Sequence, residues 1–518
     1  MHEALLIDEI TLRIADHLFN TDDISSCLAL SLCCRSLSGT ALDVLWKWQT
    51  DFVTLFKVLP PDLWEISNSS GLVSTGRRVL VARSTHWDVN QNLQRFLRSP
   101  TPDEWSRFQT YAQRMTDIRA PQGDWVPSED ILHLINLDRS GQTLLPRLKL
   151  LHWTTGRAFL PWLHLFLSPN LSVIRIDFNG ARATPVNVAV IKALPTTNLR
   201  HLALSTLHTN TEVDCGLLDL IFSSRRLETI YVQQETNTGE CSPSCDEVDD
   251  ERERIGLEAL TSITTRFKTE PTFLRTFFGR ATCPNIREIC IKHMGKADWP
   301  DVDSLFDPML RSASPTALHI LQYISQYHGM SITSSKVQTL QQFVALRSLC
   351  ITSLCTTTRC RFFLSDNDVS AIATAMPNLV ELYLGGVPCA SPVEVSINGL
   401  AVLAANCTKL VELQIHFDTT RFITRALDAP NDHTAPQKAA SSACQLTQLI
   451  VGRMVLSNGM DGYWTVGMAL LQIFPNLRNI KYHQQLFNDW GEVMRVIKVQ
   501  RNIASLVTVR RMNFLGLP

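Results

Sequence analysis

One short pattern recurs along most of this 518-residue chain. Each copy has a Leu or Ile, two further residues, a second Leu or Ile, one residue and a third apolar residue. The clearest copies follow the dipeptide Pro-Asn and begin at Pro169, Pro284, Pro377 and Pro475. Apolar residues that alternate in this way predict a short strand with one buried face. Their recurrence predicts a chain of units in which each unit packs on its neighbours.

The first apolar residue of each copy, called the anchor below, sets the spacing of the units. The interval is 28 residues from Leu171 to Leu199 and again from Leu199 to Leu227. The 59 residues from Leu227 to Ile286 amount to about two units and contain an irregular insertion. The anchors are Leu148, Leu171, Leu199, Leu227, Ile286, Leu346, Leu379, Leu410, Leu446 and Leu477, with a weaker copy at Leu318.

Helical patterns fill the segments between the strands. In the segment DNDVSAIATAMPN, Val369, Ile372 and Met376 align on one face of a predicted helix. Asp366 or Asn367 can cap its start, and the proline that follows ends it. The same pattern recurs at 396–407 and at 463–476.

Units of a strand and a helix at this spacing resemble long, irregular leucine-rich repeats. In that family the ninth position usually holds an Asn or Cys that hydrogen-bonds the turn. This chain has Asn179 there once, and apolar residues elsewhere. We therefore expect apolar packing in place of an asparagine ladder. The apolar residues at this position are Leu207, Met294, Leu354, Val387 and Met454.

The first 46 residues predict three short helices. Apolar residues line one face of the first helix, and Asp23 with its two predecessors can cap the second. A polar joint at 35–40 is expected before the third. A unit of about 40 residues barely buries enough surface to fold alone, so its apolar faces have reason to meet a partner.

This stretch resembles an F-box. Ile7 stands where the family usually has Pro, and Leu37 where it often has Trp; both replacements are apolar. The alternative is an ordinary helical hairpin that caps the main domain. The residues that match the family pattern are Leu6, Glu9, Ile10, Asp23, Ile24, Cys34, Arg35, Leu45 and Trp46.

The resemblance implies that the helices bind the adaptor subunit of an SCF-type ubiquitin ligase and, through it, the cullin. Some of the expected contact residues must instead form the core among the helices, and the sequence does not separate the two roles. The expected adaptor contacts are Leu6, Ile7, Ile10, Ile14, Leu28, Leu32, Leu45 and Trp46.

A linker separates the two motifs. Its segments PPDLWEI and SPTPDEWSRFQTYAQRMTDI resemble sequences that follow the F-box in fungal F-box proteins. Thr101 or Asp103 can cap a helix in the second segment, with Trp105, Phe108, Ala112 and Met115 as its apolar stripe.

We therefore predict an α/β chain in three parts. An F-box-like helical unit at 1–50 precedes a helical linker, or N-terminal cap, at 51–144. An irregular leucine-rich-repeat solenoid follows at 145–518, with parallel strands and with helices on its outer face.

Charge and composition exclude several classes of function. The 48 basic and 49 acidic side chains give a net charge of -1, so no general attraction to nucleic acid or to a membrane surface is expected. No signal peptide and no membrane-spanning run are recognised, which favours a cytoplasmic or nuclear location with reduced cysteines.

The sequence contains no motif for catalysis or for cofactor binding. HExxH, GxGxxG, GxxxxGK[ST] and GxSxG are all missing from it. Cys241 and Cys245, and likewise Cys355 and Cys360, have no second pair that would complete a zinc site. We expect no metal, no cofactor and no enzymatic activity. The acidic run at 246–254 is interpreted as a solvated loop, or alternatively as a docking loop for a basic partner.

Residues between the anchors should form the exposed face of the strands, where repeat proteins bind their partners. Tyr231 and Tyr383 are the favoured contact residues, because aromatic side chains dominate interface energetics. The expected target-binding residues are Arg175, His201, Tyr231, Glu288, Lys292, Glu381, Tyr383, Glu412, Gln414, His416 and Lys481, with His483 beside them.

Three functions remain open at this point. The first is a non-enzymatic substrate receptor of an SCF-type ligase. The second is an interaction scaffold whose degenerate F-box, with Ile7 and Leu37, no longer joins a ligase. The third is an enzyme whose site is assembled from distant repeats, which predicts a deep polar pocket.

Overall fold

The structure is a computed structural model. It describes residues 8–21, 23–49, 53–68, 91–96, 98–119, 143–154, 157–178, 185–236, 254–268, 272–294, 303–325, 331–332, 334–353, 361–362, 364–386, 394–419, 444–451, 459–482 and 489–514. The chain divides into two compact units, Met1–Asp246 and Glu247–Pro518. No helix in the described ranges is both long and apolar enough to cross a membrane.

The N-terminal helices are α1 (Asp8–Asn20), α2 (Ile24–Cys33) and α3 (Arg35–Lys47). Asp23 caps α2 as predicted, because its carboxylate accepts a hydrogen bond from the backbone N–H of Ser26 at 3.1 Å. The polar joint expected at 35–40 is wrong. Cys34 alone, in an extended conformation, separates α2 from α3, and the next residues are already helical.

Small side chains form the centre of this three-helix unit. Ala15, Cys27 and Val44 are buried, and larger apolar residues pack around them. The small residues let the helices approach closely, so much of the apolar surface of α1 and α2 remains outside this core. The residues packed around the centre are Leu18, Phe19, Leu30 and Leu45.

Parallel strands form the sheet of the first unit. Their order is β1, β4, β5, β6, β7, β8, and each described pair is parallel. Parallel strands therefore begin before residue 145, with Met115 as a further buried anchor. The bounds are β1 Trp48–Gln49, β4 Asp117–Arg119, β5 Leu150–Trp153, β6 Val173–Asp177, β7 His201–Thr209 and β8 Thr229–Thr236.

Helices and one hairpin complete the first unit. The helix α5 is shorter than the predicted apolar stripe, since it ends before Met115, but Thr101 caps it and forms a capping box with Glu104. An antiparallel pair, β2 with β3, lies in the linker. The bounds are α4 Val53–Phe56, β2 Trp64–Asn68, β3 Gln91–Phe96 and α5 Pro102–Ala112, then a 3₁₀ helix Arg157–Phe166 and helices Pro185–Ala193 and Thr211–Ser223.

The second unit repeats the arrangement of parallel strands. Its strand order is β10, β12, β13, β15, β17, β18, β19, β20, with small parallel pairs β9–β11 and β14–β16. The bounds are β9 Ile255–Gly256, β10 Ser262–Phe267, β11 Ala281–Thr282, β12 Glu288–His293, β13 Ile320–Ser325, β14 Ser331–Ile332, β15 Ser348–Ser353, β16 Arg361–Phe362, β17 Glu381–Gly386, β18 Glu412–Gln414, β19 Gln448–Val451 and β20 Asn479–Tyr482.

Helices between these strands pack side by side and cover the core on the side away from the exposed strand face. This is the predicted α/β repeat architecture, and all the predicted anchors, including the weak copy at Leu318, are buried. The helices are Thr272–Arg280, Asp303–Ser312, Ser334–Leu340, Asp366–Ala375, Ile397–Asn406, Gly459–Ile473 and Asp489–Phe514.

One repeat escaped the sequence pattern. Leu260 is a buried anchor, and β10 follows it in register with β12. It falls inside the long step between Leu227 and Ile286. Thr265 occupies the third apolar position, where its buried side chain takes the place of the apolar residue of the other copies.

In the copies that begin with Pro-Asn, this dipeptide forms the turn that leads into the strand. At Leu171, Ile286 and Leu477 the anchor N–H donates to the carbonyl three residues earlier, at 3.0–3.2 Å. This is the hydrogen bond of a β-turn with Pro at its second position, where the fixed φ of Pro is favourable. The proline therefore shapes the turn as well as ending the helix.

The asparagine of this turn joins neighbouring repeats at three of the four copies that begin with Pro-Asn. Asn170 Nδ2 donates to the carbonyl of Pro146 at 2.9 Å, and Asn476 Nδ2 to that of Cys444 at 2.9 Å. Asn285 donates likewise to Glu258 at 2.8 Å. Each acceptor lies two residues before the preceding anchor. The ladder thus exists, but at the turn before the strand instead of the ninth position.

Serines, not the predicted aspartate, cap two of the helices. Ser365 caps Asp366–Ala375 with a capping box to Asp368. Asp366 instead accepts hydrogen bonds from the backbone N–H and hydroxyl of Ser396, at 2.6 and 2.5 Å. Because Ser396 caps the next helix, this carboxylate fixes one repeat to its neighbour.

Replacing Asn476 by Ala should lower the free energy of unfolding by about 1 kcal/mol, because the carbonyl of Cys444 loses its partner. Asn378 occupies the same turn position but accepts from the exposed Lys409 Nζ at 2.9 Å. Asn378→Ala is therefore the matched control, with a smaller expected loss. Urea unfolding of the full chain measures both, and equal losses would contradict the ladder.

Replacing Gly385 by Ala should destabilise the second unit by about 1–3 kcal/mol, the usual cost of a strained backbone conformation. Gly385 has a φ of +109°, and an added Cβ would lie 2.8 Å from the His416 ring. Gly39→Ala is the control, because Gly39 lies in α3 and a Cβ added there would meet no neighbouring atom within 4 Å. Thermal unfolding should show the loss only for Gly385→Ala; a neutral result there would argue against this close approach.

Candidate functional site

An apolar stripe lies exposed on α2. Ile24, Leu28 and Leu32 recur every fourth residue, so they follow one face of the helix. Their residue exposures are 53%, 48% and 78%. On α1, Ile10 and Ile14 are exposed at 38% and 39%. These five residues, called the α1/α2 stripe below, face away from the core of the three-helix unit.

The other expected adaptor contacts lie in different surroundings. Leu45 packs partly against the core of the three helices. Trp46 is half-buried and its ring lies 4.8 Å from that of Tyr111, in α5. Leu6 and Ile7 lie outside the described residues. The structure therefore separates exposed from packed residues, a distinction that the sequence could not make.

The strand face of the first unit carries three of the expected target contacts. Arg175 is exposed on β6, while His201 on β7 and Tyr231 on β8 are half-buried. The His201 Nδ1 atom lies 2.8 Å from Thr229 Oγ1, and the Tyr231 hydroxyl donates to Gln233 Oε1 at 3.1 Å. Local hydrogen bonds therefore hold both side chains in place.

Two residues of this face were missed by the sequence pattern. Arg119 on β4 pairs in register with His152 on β5, which pairs in turn with Arg175. The Arg119 guanidinium lies 5.2 Å from the centre of the Trp48 ring. The sequence carries part of the pattern here, because Met115 is followed three residues later by Ile118. The pattern requires Leu or Ile at the first position, so a copy that begins with methionine did not fit it.

The strand face of the second unit holds a hydrogen-bonded cluster of polar residues. Ser348 donates to Glu381 at 2.8 Å, and both Tyr383 and Gln448 donate to Glu412. Burial, and after it the hydrogen bond to Glu412 and the negative charge there, raise the pKa of Tyr383. The phenol therefore stays protonated and acts as a donor on this face.

The remaining expected contacts of the second unit have various environments. Glu288 accepts from Ser262 Oγ at 3.3 Å, and Gln414 is nearly buried and donates to the carbonyl of Gly385 at 3.0 Å. Lys292 and His416 are half-buried and Lys481 is exposed. His483 lies outside the described residues. On β15 all six residues are buried.

No group of three or more His, Cys, Asp and Glu side chains that could hold a metal ion occurs in the described ranges. The two cysteine pairs and nearly all of the acidic run 246–254 lie outside those ranges. Burial raises the pKa of Cys283 and of Cys407 to about 12. These two thiols are therefore part of the core, where the reactive thiolate form is suppressed.

Comparisons with known proteins show no family for this chain. No protein-family model matches the sequence, and no curated protein matches it. A similar solved structure is titled as the crystal structure of the Rad7 and Elc1 complex in yeast, at 12% sequence identity and a TM-score of 0.37, covering 73% of each chain.

Cysteine alkylation with iodoacetamide at pH 7.5 should separate surface from core thiols. The hydrogen bond with Ser36, and after it the Leu37 N–H, lower the pKa of Cys34, so its thiolate fraction is increased and it should react first. Ser36→Ala should raise that pKa and slow Cys34, with exposed Cys33 as the internal control. Mass spectrometry gives the rates; rapid labelling of Cys283 in the folded chain would contradict its burial.

Proposed function

We propose that this chain is a substrate-recognition subunit of an SCF-type ubiquitin ligase. Its N-terminal helices would bind the adaptor subunit and, through it, the cullin. The strand faces of the repeats would bind a target protein. The observation that supports the proposal most directly is the α1/α2 stripe, because it is a row of large aliphatic side chains left in water by a well-formed helical unit.

Burying such a stripe against a partner is energetically favourable. Each large aliphatic side chain contributes roughly 1.5–3 kcal/mol when it passes from full exposure to full burial. The side chains of the α1/α2 stripe are already partly covered, so burial of each one would contribute less free energy. Their summed contribution would still favour a specific contact after the cost of association is subtracted. The resemblance to an F-box supports the adaptor as the occupant.

The proposed mechanism is catalysis by proximity. The receptor would hold the target close to the ubiquitin-loaded enzyme, so that a bimolecular transfer proceeds as if within one molecule. The chain itself would supply neither a nucleophile nor a cofactor. Its contribution would be the relative placement of two protein-binding surfaces.

A non-ligase scaffold is the second candidate, and one observation favours it. Leu37, which stands where the F-box family often has Trp, is only 6% exposed. This position therefore packs within the chain and offers little surface to an adaptor. Under this alternative the strand faces would still bind a protein, while the α1/α2 stripe would meet some other partner.

A pull-down of the full chain with a purified SCF adaptor tests the proposal. The variant Leu28→Asp/Leu32→Asp places two charges in the stripe, and we expect at least tenfold weaker adaptor binding. The matched control is Val344→Asp/Val499→Asp, because these two apolar residues are also exposed, at 48% and 45%, but lie far along the chain in the second unit.

Wild type and the control should retain the adaptor equally. Circular dichroism and thermal unfolding of all three proteins would exclude loss of folding as the cause. Failure of the folded wild type to bind would reject the receptor function and leave the scaffold. Equal loss in the control would show that the α1/α2 stripe is not the contact.

A further inference from the structure

Two arginine side chains and one histidine side chain lie side by side across the sheet of the first unit. Arg119, His152 and Arg175 occupy one register row on β4, β5 and β6, and the row continues through Ala203 to Tyr231. Neighbouring parallel strands are about 4.8 Å apart, so the two arginines lie roughly 10 Å apart at their backbones with the imidazole between them. Long arginine side chains can bridge that interval.

Trp48 orients the first of these arginines. The guanidinium of Arg119 lies over the indole ring, and Trp48 is itself in edge contact with Phe19 at 6.3 Å. A guanidinium stacked on an aromatic ring keeps its N–H groups free at the edge, directed away from the stacked face. Within the described residues neither Arg119 nor Arg175 forms an ion pair.

The balance of charge around the row is positive. Burial raises the pKa of Asp117, and the charges of Lys47, Arg119 and Lys149 act against that rise, while Lys47 also pairs with Asp16 at 3.4 Å. Asp117 is half-buried, and Asp177 is engaged by the hydroxyl of Thr206. These two carboxylates and Asp16 therefore offset only in part the four basic groups, which are Arg119, Arg175, Lys47 and Lys149, although the whole chain is nearly neutral.

We propose that this row binds an acidic segment of a protein partner, with Asp or Glu carboxylates held by Arg119 and Arg175 on either side of His152. Arginine suits this role because its planar fork pairs with a carboxylate through two hydrogen bonds. In the proposed function this partner is the target, but the binding itself does not depend on the adaptor.

The protonation of His152 would make binding to the row depend on pH. Burial lowers the pKa of His152, and the charges of Arg175 and Arg119 lower it further, against the smaller effect of Asp177. Carboxylates bound between the arginines would offset that positive charge and raise the pKa. Binding would then take up a proton and strengthen as the pH falls from 7.5 toward 6, above the range where peptide carboxylates titrate.

The test uses the full chain and fluorescein-labelled peptides of alternating Gly and Glu, Gly and Gln, or Gly and Gln with one phosphoserine. Fluorescence anisotropy should show binding of the Glu peptide and none of the Gln peptide. Arg119→Gln/Arg175→Gln should weaken Glu-peptide binding at least tenfold. The control Arg107→Gln/Arg147→Gln removes the same charge from α5 and from a turn, and should bind like wild type.

Proton NMR of the His152 ring, assigned with His152→Asn, should show its pKa rise when the Glu peptide binds. Equal binding by the row variant and the control, or binding of the phosphoserine peptide alone, would overturn the proposal. The same row variant should retain the adaptor in the pull-down, so failure of this inference and failure of the proposed function are distinguishable.

Discussion

Burial of the anchor at the start of each strand is the constraint on which the repeat architecture depends. The anchor side chain enters the core while its N–H closes the preceding β-turn, so one residue fixes both the packing and the backbone direction. The turn asparagine then reaches the carbonyl of the previous turn, as Asn285 does to Glu258 at 2.8 Å. Each repeat is thereby positioned against its neighbour, and the strands pair in register because their starting points coincide.

The sequence predicted the repeat fold well, because anchor burial and strand alternation leave a direct pattern in the order of residues. It failed where a polar or unusual residue fills an apolar position. Thr265 concealed the repeat of Leu260, and Met115 concealed the strand before residue 145. The asparagine ladder was missed for a related reason. The ladder lies at the turn before the strand, which is not the position of the family pattern. Its acceptor is a backbone carbonyl, which every residue type has, so the sequence of the partner residue does not reveal the hydrogen bond.

The binding surfaces were predictable only as lists of candidates. A helical stripe such as Ile24, Leu28 and Leu32 looks the same in sequence whether it packs inward or faces water. Ala15 and Cys27, which look unremarkable in sequence, form the centre of the three-helix unit and leave that stripe exposed. Separating core from surface therefore required the packing of all three helices, which no single helix determines.

The strand faces of the two units carry different side chains on the same repeat architecture. Most positions between the anchors lie outside the core, so packing constrains their identity less and binding can set it, although on β15 all six residues are buried. In the first unit these positions hold arginines on either side of His152. In the second unit they hold Glu381 and Glu412, which accept hydrogen bonds from Ser348 and Tyr383. Under the proposed functions, the opposite charges on the same scaffold would place binding specificity in the register rows, whereas the anchors and turns set only where those rows lie.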